Sequence, residues 1–278
     1  MTGEPERIAA LALAEDGDTD VTSAVSVPAE IRAEGRLEFR SGGVLAGAAF
    51  ADAVALRCDC RIEWRASDGQ LIPPGSVVGL VRGPLARILQ AERPMLNLLQ
   101  RASGIAGATG RYVDAVAGTS ARILHTRKTA PGLRALDIAA VLAGGGARHR
   151  ADLAHEVMVK DNHWRALRAG GGTLADALGR ARDGGITSLQ VEVESAEQVE
   201  EACRAGATRL LVDNQSPETM RVWGERARWL RPGIEIEATG GITLDNVRAY
   251  AVAGADLISI GALTHSVQAG DLALEISL

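Results

Sequence analysis

The second half of the sequence alternates short apolar runs with longer stretches of helical periodicity, and this alternation limits the fold more than any other feature. Six runs rich in aliphatic and β-branched residues are predicted to be strands: 121–126, 155–160, 188–193, 209–213, 234–239 and 257–262. The intervening stretches repeat their apolar residues at helical spacing, and several end at glycine. Repeated strand–helix units indicate a parallel sheet, either an α/β barrel or an open doubly wound sheet.

Polar residues at the strand ends distinguish these two folds. Each predicted strand ends in, or is followed by, charged, amide, hydroxyl or glycine residues, among them Arg127, Lys128, Lys160, Glu192, Asp213, Thr239, Gly240, Gly241 and Gly261. In an α/β barrel the carboxyl ends of the strands converge on one opening, and catalytic groups come from several of them. An open sheet places functional groups mainly at one switch point. The pattern therefore favours a barrel, with six recognisable strands.

The first 105 residues have a different pattern. The segments AEGRLEFRSGGVLAG and RIEWRASDGQLIPPGSVVGLVRG alternate with period two around Asp-Gly and Pro-Pro-Gly turns, which is typical of antiparallel hairpins. A long helical region follows, with a predicted break near Ser103-Gly104. We therefore predict a β-rich N-terminal domain over 1–105 and an α/β barrel over 106–265.

Composition excludes several classes of function. The 278 residues carry a net charge of −5 and only 3% aromatic side chains, which argues against a nucleic-acid-binding protein. The apolar N-terminal run IAALALA is too short to span a bilayer and lacks a signal-peptide pattern, so no membrane association is expected. Three cysteines without a framework of pairs favour a reducing compartment, and we expect a cytoplasmic protein.

The strand-end residues divide by charge. Arg127, Lys128, Arg150 and Lys160, together with His149, suit a ligand with several negative charges. Two acids from later strands, Glu192 and Asp213, suit sugar hydroxyls, a magnesium ion, or positive charge developing in a transition state. The glycine-rich segments 238–243 and 260–266 expose backbone N–H groups to a phosphate. A phosphorylated sugar that reacts through a cationic carbon would use both sets.

Eight motifs in a fixed order give a specific resemblance: ERPMLNLLQRASGIA, TRKTAPGLRAL, GGGARHR, VKDNH, VEVES, LLVDN, ATGGI and IGALTHS. Together they resemble the quinolinate phosphoribosyltransferases, which are the carboxylating nicotinate-nucleotide pyrophosphorylases of NAD biosynthesis. The resemblance extends over nearly the whole chain. It implies an N-terminal α/β sandwich over 1–105, an irregular six-strand α/β barrel of the type II phosphoribosyltransferase kind over 106–265, and a tail, 266–278, that packs on the N-terminal domain.

The resemblance also implies an activity and a set of site residues. The activity is transfer of the phosphoribosyl group from phosphoribosyl pyrophosphate to quinolinate with decarboxylation, and Mg²⁺ is the implied cofactor. Quinolinate would be bound by Arg127, His149, Arg150 and Lys160, and by Arg93 of the neighbouring subunit. Phosphoribosyl pyrophosphate would be bound by Lys128, Glu192, Asp213, Thr239, Gly240, Gly241, Gly261 and His265. Lys128, Lys160, Glu192 and Asp213 would be catalytic, and the last two would hold the metal directly or indirectly.

The implied assembly is a homodimer with shared active sites, with a hexamer as the larger alternative. Because carboxylates favour a protonated imidazole, we expect His149 to be charged beside the substrate. The sequence departs from the family at His125, where Asp is usual, and at Arg148, where Asn is usual. Two alternatives remain at this stage: a related phosphoribosyltransferase for another aromatic acid, of the kind linked to molybdenum transport or secondary metabolism, and a non-catalytic sensor of a phosphorylated ligand.

Overall fold

The structure is a computed structural model that describes residues 3–17 and 19–277. Its helices are α1 (Glu4–Glu15), α2 (Val21–Ser26), α3 (Ala48–Arg57), α4 (Leu85–Ala115), α5 (Arg134–Ala143), α6 (Asp161–Ala169), α7 (Leu174–Asp183), α8 (Ala196–Ala205), α9 (Pro217–Leu230), α10 (Val247–Val252) and α11 (Ala262–His265). Its strands are β1 (Arg32–Phe39), β2 (Gly43–Val44), β3 (Arg61–Trp64), β4 (Leu71–Ile72), β5 (Ser76–Pro84), β6 (Arg122–Leu124), β7 (Val157–Val159), β8 (Leu189–Val193), β9 (Arg209–Asp213), β10 (Glu235–Thr239), β11 (Leu257–Ser259) and β12 (Leu272–Ser277).

The chain forms two compact units. The first contains the described residues of 1–110, 128–146 and 262–278, and the second contains 111–127 and 147–261. The predicted division has a single boundary near residue 105. In the structure the chain passes between the units several times, because the segment with α5 belongs to the first unit. No helix in the described part of the chain combines the length and the apolar composition that crossing a membrane requires.

The first unit is built on an antiparallel sheet with the strand order β12-β1-β5-β3. Its period-two pattern buries Gly35, Leu37 and Phe39 of β1, while Arg36, between the first two, is exposed. The C-terminal strand β12 pairs with β1 from Glu34↔Ser277 to Phe39↔Leu272. The antiparallel pairing predicted around the Asp-Gly and Pro-Pro-Gly turns is confirmed, because β3 pairs with β5. In the other segment, β1 pairs with β5 and β12, and β2 pairs with β4.

The predicted helix break near Ser103-Gly104 is wrong, since α4 continues through both residues to Ala115. Glycine at position 104 lets the backbone of Gln268 pack close to the helix, because a Cβ there would collide with the backbone oxygen of Gln268. The neighbouring Ser103 accepts a 3.1 Å hydrogen bond from the backbone N–H of Ala46. Both residues are therefore small because the first unit packs tightly around the helix, which a pattern in one segment does not reveal.

The second unit is built on a six-stranded parallel sheet with the order β6-β11-β10-β9-β8-β7. From β7 to β11 the strands follow chain order, and β6 lies beside β11. A doubly wound sheet would reverse its order at a switch point, whereas this single winding is that of an α/β barrel. The predicted fold class is therefore confirmed. Three of the predicted strands are longer than the observed ones by two residues or more: 121–126 became β6, 155–160 became β7, and 257–262 became β11.

Candidate active site

Functional side chains collect at the carboxyl ends of the parallel strands in the second unit. Alternate residues of a strand face the same side, and the inward positions of β8 and β10 carry polar side chains. Among these, Gln190 and Glu237 are fully buried and Glu192 is nearly so. The interior of this sheet is thus polar over much of its length, unlike the layers of aliphatic side chains usual in larger barrels.

One group of residues, which we call the acid side, consists of Lys160, Glu192 and Asp213. Nζ of Lys160, directly after β7, donates to Oε2 of Glu192 on β8. Asp213 ends β9 and is half-buried. Burial raises the pKa of Asp213, and the negative charge of Glu192 raises it further. The two carboxylates therefore lie close enough to repel each other, and Lys160 offsets one of their two negative charges.

Backbone turns fix the direction of the acid side. Asn214 has a left-handed φ of 52°, and its Nδ2 donates a 2.7 Å hydrogen bond to Oδ2 of Asp213. The backbone N–H of Asn214 donates to the oxygen of Thr239, the last residue of β10, at 2.9 Å. Gly240 follows with a φ of 81°, and a Cβ there would collide with Oδ1 of Asn214. The turns after β9 and β10 are therefore locked together, and Gly241 continues the second with a φ of 60°.

A second group, which we call the arginine side, consists of Arg127 and Arg150. Arg127 follows β6, and its Nε is buried without a hydrogen-bond partner. Burial lowers the pKa of Arg150, and the positive charge of Arg127 lowers it further, while Glu156, Glu237 and Asp152 oppose the shift. Two partly buried guanidinium groups therefore lie close together. Such a pair, with an unused N–H donor, is prepared for an anion.

Residues beneath the arginine side were missed by the sequence reasoning. Glu237 lies 3.2 Å from His149 and 3.3 Å from Arg209. His125, which the sequence marked only as a departure from the family, is fully buried and accepts a hydrogen bond from the backbone of His149. A usable signal exists: the pattern EIEAT repeats an acid at the inward positions of a predicted buried strand.

Three predicted site residues belong to the first unit. Lys128 is exposed, and its backbone oxygen accepts a 2.8 Å hydrogen bond from Thr264 Oγ1. His265 ends α11 and is exposed, with Nδ1 2.7 Å from Ser266 Oγ. Arg93 is exposed on α4. The structure thus brings together, in one unit, the predicted site residues Arg127, His149, Arg150, Lys160, Glu192, Asp213, Thr239, Gly240, Gly241 and Gly261.

An anchor in the first unit fixes the segment that begins with Lys128. The buried carboxylate of Asp137 on α5 accepts two 2.7 Å hydrogen bonds from Arg101 of α4. The same carboxylate accepts a 3.1 Å hydrogen bond from the backbone N–H of Ala130. Arg101 also donates to the backbone oxygen of Thr264 at 3.0 Å. A forked ion pair of this kind fixes backbone positions, so Arg101 and Asp137 hold the segment that begins with Lys128.

The chemistry of the acid side suits a hard divalent cation that keeps other ligands. Within residues 3–17 and 19–277, no group of three or more His, Cys, Asp or Glu side chains could enclose a metal ion. Two neighbouring carboxylates, of which Asp213 has its pKa raised by burial and then by Glu192, nevertheless provide oxygen ligands and a negative charge for a cation to neutralise. Mg²⁺ is usually held by one or two carboxylates together with substrate phosphates, and Glu192 and Asp213 fit that mode.

Comparison with known proteins agrees with this architecture. Residues 20–103 match the family described as quinolinate phosphoribosyl transferase, N-terminal domain, and residues 105–275 match its C-terminal domain. The chain is 38% identical over 270 residues to the probable carboxylating nicotinate-nucleotide pyrophosphorylase of Bacillus subtilis, covering 96% of this chain and 91% of the relative. It is 40% identical over 241 residues to the Homo sapiens carboxylating nicotinate-nucleotide pyrophosphorylase, covering 85% of this chain and 80% of the relative.

The fold is shared with solved structures. The nicotinate-nucleotide pyrophosphorylase of Francisella tularensis superposes with a TM-score of 0.89 at 30% identity, over 99% of this chain and 96% of that chain. A likeness of this extent covers both units as well as the strand ends where the polar residues collect. With matches of both domain families along its length, this chain belongs to the quinolinate phosphoribosyltransferase family.

Proposed function

We propose that this protein is a carboxylating nicotinate-nucleotide pyrophosphorylase. It transfers the phosphoribosyl group of phosphoribosyl pyrophosphate to quinolinate and releases pyrophosphate, CO₂ and nicotinate mononucleotide. The observation that carries the proposal is the division of one strand-end site into an arginine side and an acid side. A dianionic acceptor and a donor that develops positive charge require these two environments next to each other.

The arginine side is assigned to quinolinate. Its two carboxylates match the forked donors of Arg127 and Arg150, and the buried, unused Nε of Arg127 gains a partner when the ligand binds. Lys160, which is half-exposed beside Glu192, supplies a point charge to the same ligand. We assign His149 to this side as well, and Arg93 to the corresponding site of a second subunit.

The acid side and the glycine turns are assigned to phosphoribosyl pyrophosphate. Glu192 and Asp213 face the ribose, and they would hold Mg²⁺ together with the pyrophosphate oxygens. When bound, the metal would neutralise the charge on the departing pyrophosphate. Thr239, Gly240, Gly241 and Gly261 would surround the 5′-phosphate with backbone N–H groups. We assign the exposed Lys128 and His265 to the same donor.

The order of the chemical steps follows from charge. The pyridine nitrogen of quinolinate attacks C1 of the ribose while the C1–oxygen bond to pyrophosphate breaks, through a transition state with positive charge at C1. Glu192 and Asp213 stabilise that charge, directly or through the ribose hydroxyls. Once the nitrogen is quaternary, the adjacent ring carbon can lose CO₂, because N⁺ stabilises the electron pair left behind. A proton then replaces the carboxylate, so decarboxylation follows ribosyl transfer.

A shared site and a cytoplasmic location complete the proposal. Arg93 lies exposed on the long helix α4, where it can extend toward a second copy of the chain. A homodimer is therefore the smallest active assembly, and a hexamer would be three such dimers. Three free cysteines, all buried, suit a reducing compartment.

One assay tests the activity. The enzyme is incubated with Mg²⁺ and carboxyl-labelled quinolinate, with and without phosphoribosyl pyrophosphate, and both CO₂ and nicotinate mononucleotide are measured. We expect the two products in equal amounts and only when the sugar donor is present. CO₂ released without the donor would contradict the order of steps. Binding of both substrates without any product would indicate a sensor instead of an enzyme.

A further inference from the structure

A buried carboxylate that contacts neither proposed substrate lies beneath the arginine side. Glu237 is fully buried in the middle of β10, and its Oε1 lies 3.2 Å from Nε2 of His149. Its Oε2 lies 3.3 Å from Nη1 of Arg209 on β9. Burial by itself raises the pKa of Glu237, yet His149, Arg209 and Ser259 hold that pKa below its ordinary value. Glu237 is therefore a carboxylate, and its buried charge depends on these partners.

The two nitrogens of the His149 ring have different partners. Nδ1 accepts a 2.7 Å hydrogen bond from the backbone N–H of Arg150, so Nδ1 carries no proton. The ring proton is therefore on Nε2, the nitrogen that faces Glu237. The side chain is only 6% exposed. The charged imidazole expected from the sequence concerns the complex with substrate; in the structure without substrate, both ring nitrogens face protein groups.

The contact between His149 and Glu237 is close without being a well-formed hydrogen bond. Oε1 of Glu237 lies within ion-pair distance of Nε2, but the ring N–H does not point straight at it, and this oxygen lacks a hydrogen-bond partner. The backbone N–H of Arg150 on one side of the ring and the carboxylate of Glu237 on the other together favour the tautomer with the proton on Nε2.

His149 also joins the two loops that carry the arginines. Its backbone N–H donates a 3.1 Å hydrogen bond to Nε2 of His125, the buried residue that follows β6. Nδ1 of His125 lies 3.3 Å from the backbone oxygen of Thr126. Arg127 follows directly after Thr126, and Arg150 follows directly after His149. A continuous series of contacts therefore runs from Glu237 to both arginine-bearing segments.

The contacts from Glu237 through His149 counteract the electrostatic repulsion between Arg127 and Arg150. Arg127 and Arg150 carry like charges in a partly buried place: burial lowers the pKa of Arg150, and the charge of Arg127 lowers it further. Coulomb repulsion between charges a few ångströms apart is strong at reduced dielectric. Without a ligand, the pair needs a buried negative charge and a rigid connection to stay together. Glu237 provides the first, and its contact with His149 provides the second.

We propose that Glu237 is a positioning residue: by fixing the ring of His149, it holds Arg127 and Arg150 in the arrangement that binds an aromatic dicarboxylate. His149 accordingly acts mainly by ordering the two loops and not as a charged ligand for the substrate. The inference rests on the proposed function for the identity of the ligand. The tautomer of His149 in the substrate-free enzyme tests it without reference to any activity.

The kinetic test compares two acids on the same strand. Glu235 is two residues from Glu237 and shares Arg209 as a partner, at 2.8 Å, but its ion-pair partners in the described part of the chain are Arg209 and Arg122 and not His149. Glu237→Ala should raise the KM for quinolinate about 10–100-fold, as removal of an outer carboxylate does for other oriented histidines, with the KM for phosphoribosyl pyrophosphate unchanged. Glu237→Gln keeps the shape and one acceptor oxygen, so its increase should be smaller. Glu235→Gln should leave both KM values unchanged.

The spectroscopic test uses enzyme with ¹⁵N-labelled histidine and no substrate. We expect His149 with a protonated Nε2 and an unprotonated Nδ1 in the wild type, and a mixture of tautomers in Glu237→Ala. If that variant fails to fold, Glu237→Gln and the wild-type spectrum carry the test. An imidazolium or a protonated Nδ1 in the wild type would overturn the inference, as would a wild-type quinolinate KM in a folded Glu237→Ala enzyme. A wild type that forms no nicotinate mononucleotide overturns the proposed function alone, and the spectrum still decides the role of Glu237.

Discussion

The two sides of the candidate site are held in place in different ways. The arginine side depends on a buried network of side chains, in which Glu237 and His149 stand behind Arg127 and Arg150. The acid side depends on backbone geometry, since left-handed turns after β9 and β10 direct Asp213 and close against each other. One side is therefore set by charge and tautomer, and the other by the conformations that Asn and Gly permit.

The cause of this difference is the sign and number of the charges. Two arginines, permanently charged, cannot relieve their repulsion by losing a proton, so the protein supplies a buried acid. The two carboxylates can relieve their repulsion by pairing with a lysine, by binding a metal ion or by taking up a proton. The raised pKa of Asp213 means that it takes up a proton more readily than an ordinary aspartate. Substitutions on the arginine side should consequently weaken binding of the acceptor, quinolinate. Substitutions on the acid side should slow catalysis and weaken binding of the donor, phosphoribosyl pyrophosphate.

The largest effect is expected on the acid side itself. Glu192→Gln removes a charge that stabilises the ribosyl transition state, so kcat should fall by roughly 10²–10³ while the KM for quinolinate changes little. The exposed neighbour Glu194 provides the control, because its charge also acts on Asp213 but its side chain lies outside the buried site. Glu194→Gln should keep a wild-type kcat. Steady-state kinetics with both substrates measure the difference, and full activity in Glu192→Gln would remove the acid side from the mechanism.

The next effect tests whether a second subunit completes the arginine side. Arg93→Ala and Lys160→Ala should each be severely impaired alone, because each dimer then lacks one group in both of its sites. Mixed and re-equilibrated, half of the dimers contain one copy of each variant and therefore one intact site. Activity should recover to about a quarter of the wild-type value, by the symmetry of a two-fold dimer.

A mixture of Arg93→Ala with an Arg93→Lys variant is the control, since neither subunit then restores the missing arginine. Formation of mixed dimers is verified by mass spectrometry of differently tagged chains. If mixed dimers form and no activity returns, Arg93 does not act across subunits.

A third, smaller effect isolates the backbone of the acid side. Gly240→Ala places a Cβ against the Asn214 amide in addition to the strain of a positive φ, so it should displace Asp213 and raise the KM for phosphoribosyl pyrophosphate. Gly233→Ala is the matched control, because it has a similar φ of 85° with no atom within 4 Å of the added carbon. Both variants should lose about 1 kcal/mol of stability through the strained backbone. Equal KM values in the two would show that the contact with Asn214 has no functional consequence.

Much of the fold could be predicted because its signals are local. Strand–helix repetition and polar strand ends indicated the six-stranded parallel sheet, and the predicted strand 209–213 has the observed bounds. The residue patterns did not indicate contacts distant in sequence. The register of β12 against β1 and the packing that keeps α4 unbroken at Gly104 depend on partners more than 150 residues away. No period within a single segment records such partners.

The site could be predicted less evenly. Residues that present charge at a strand end, such as Lys160 and Asp213, are visible as polar interruptions of an apolar pattern. Glu237 lies inside a strand and faces the sheet interior. The sequence pattern indicates that this position is buried, but it does not indicate His149, the partner of the buried charge. The tautomer of His149 depends on a backbone N–H and on a carboxylate from another strand. These atoms come together only in the folded chain.

The smallest effects concern stability, and they should have opposite signs on the two sides. The pKa of Glu237 is lowered in the folded protein, so its charge stabilises the fold above the ordinary carboxyl pKa of about 4.3, and this stabilisation is lost as the pH falls through the lower folded value. Burial, and then the charge of Glu192, raise the pKa of Asp213. The contribution of Asp213 is therefore fully present below about pH 3.9 and is lost as the pH rises through the raised value.

At neutral pH, Glu237→Gln should consequently lower Tm, and Asp213→Asn should raise it, each by on the order of a few degrees for a chain of this size. The difference between wild type and Glu237→Gln should persist down to about pH 4.3 and shrink only below it, where first the unfolded and then the folded carboxyl group takes up a proton. The gain in Asp213→Asn should shrink at higher pH, as the pH falls through the raised pKa of the wild-type aspartate toward about 3.9. Thermal unfolding of the three proteins from about pH 2 to 8 measures both trends. Destabilisation by Asp213→Asn at pH 7 would mean that the acid side, like the arginine side, is built on a charge that stabilises the fold, and the contrast between the two sides would then be lost.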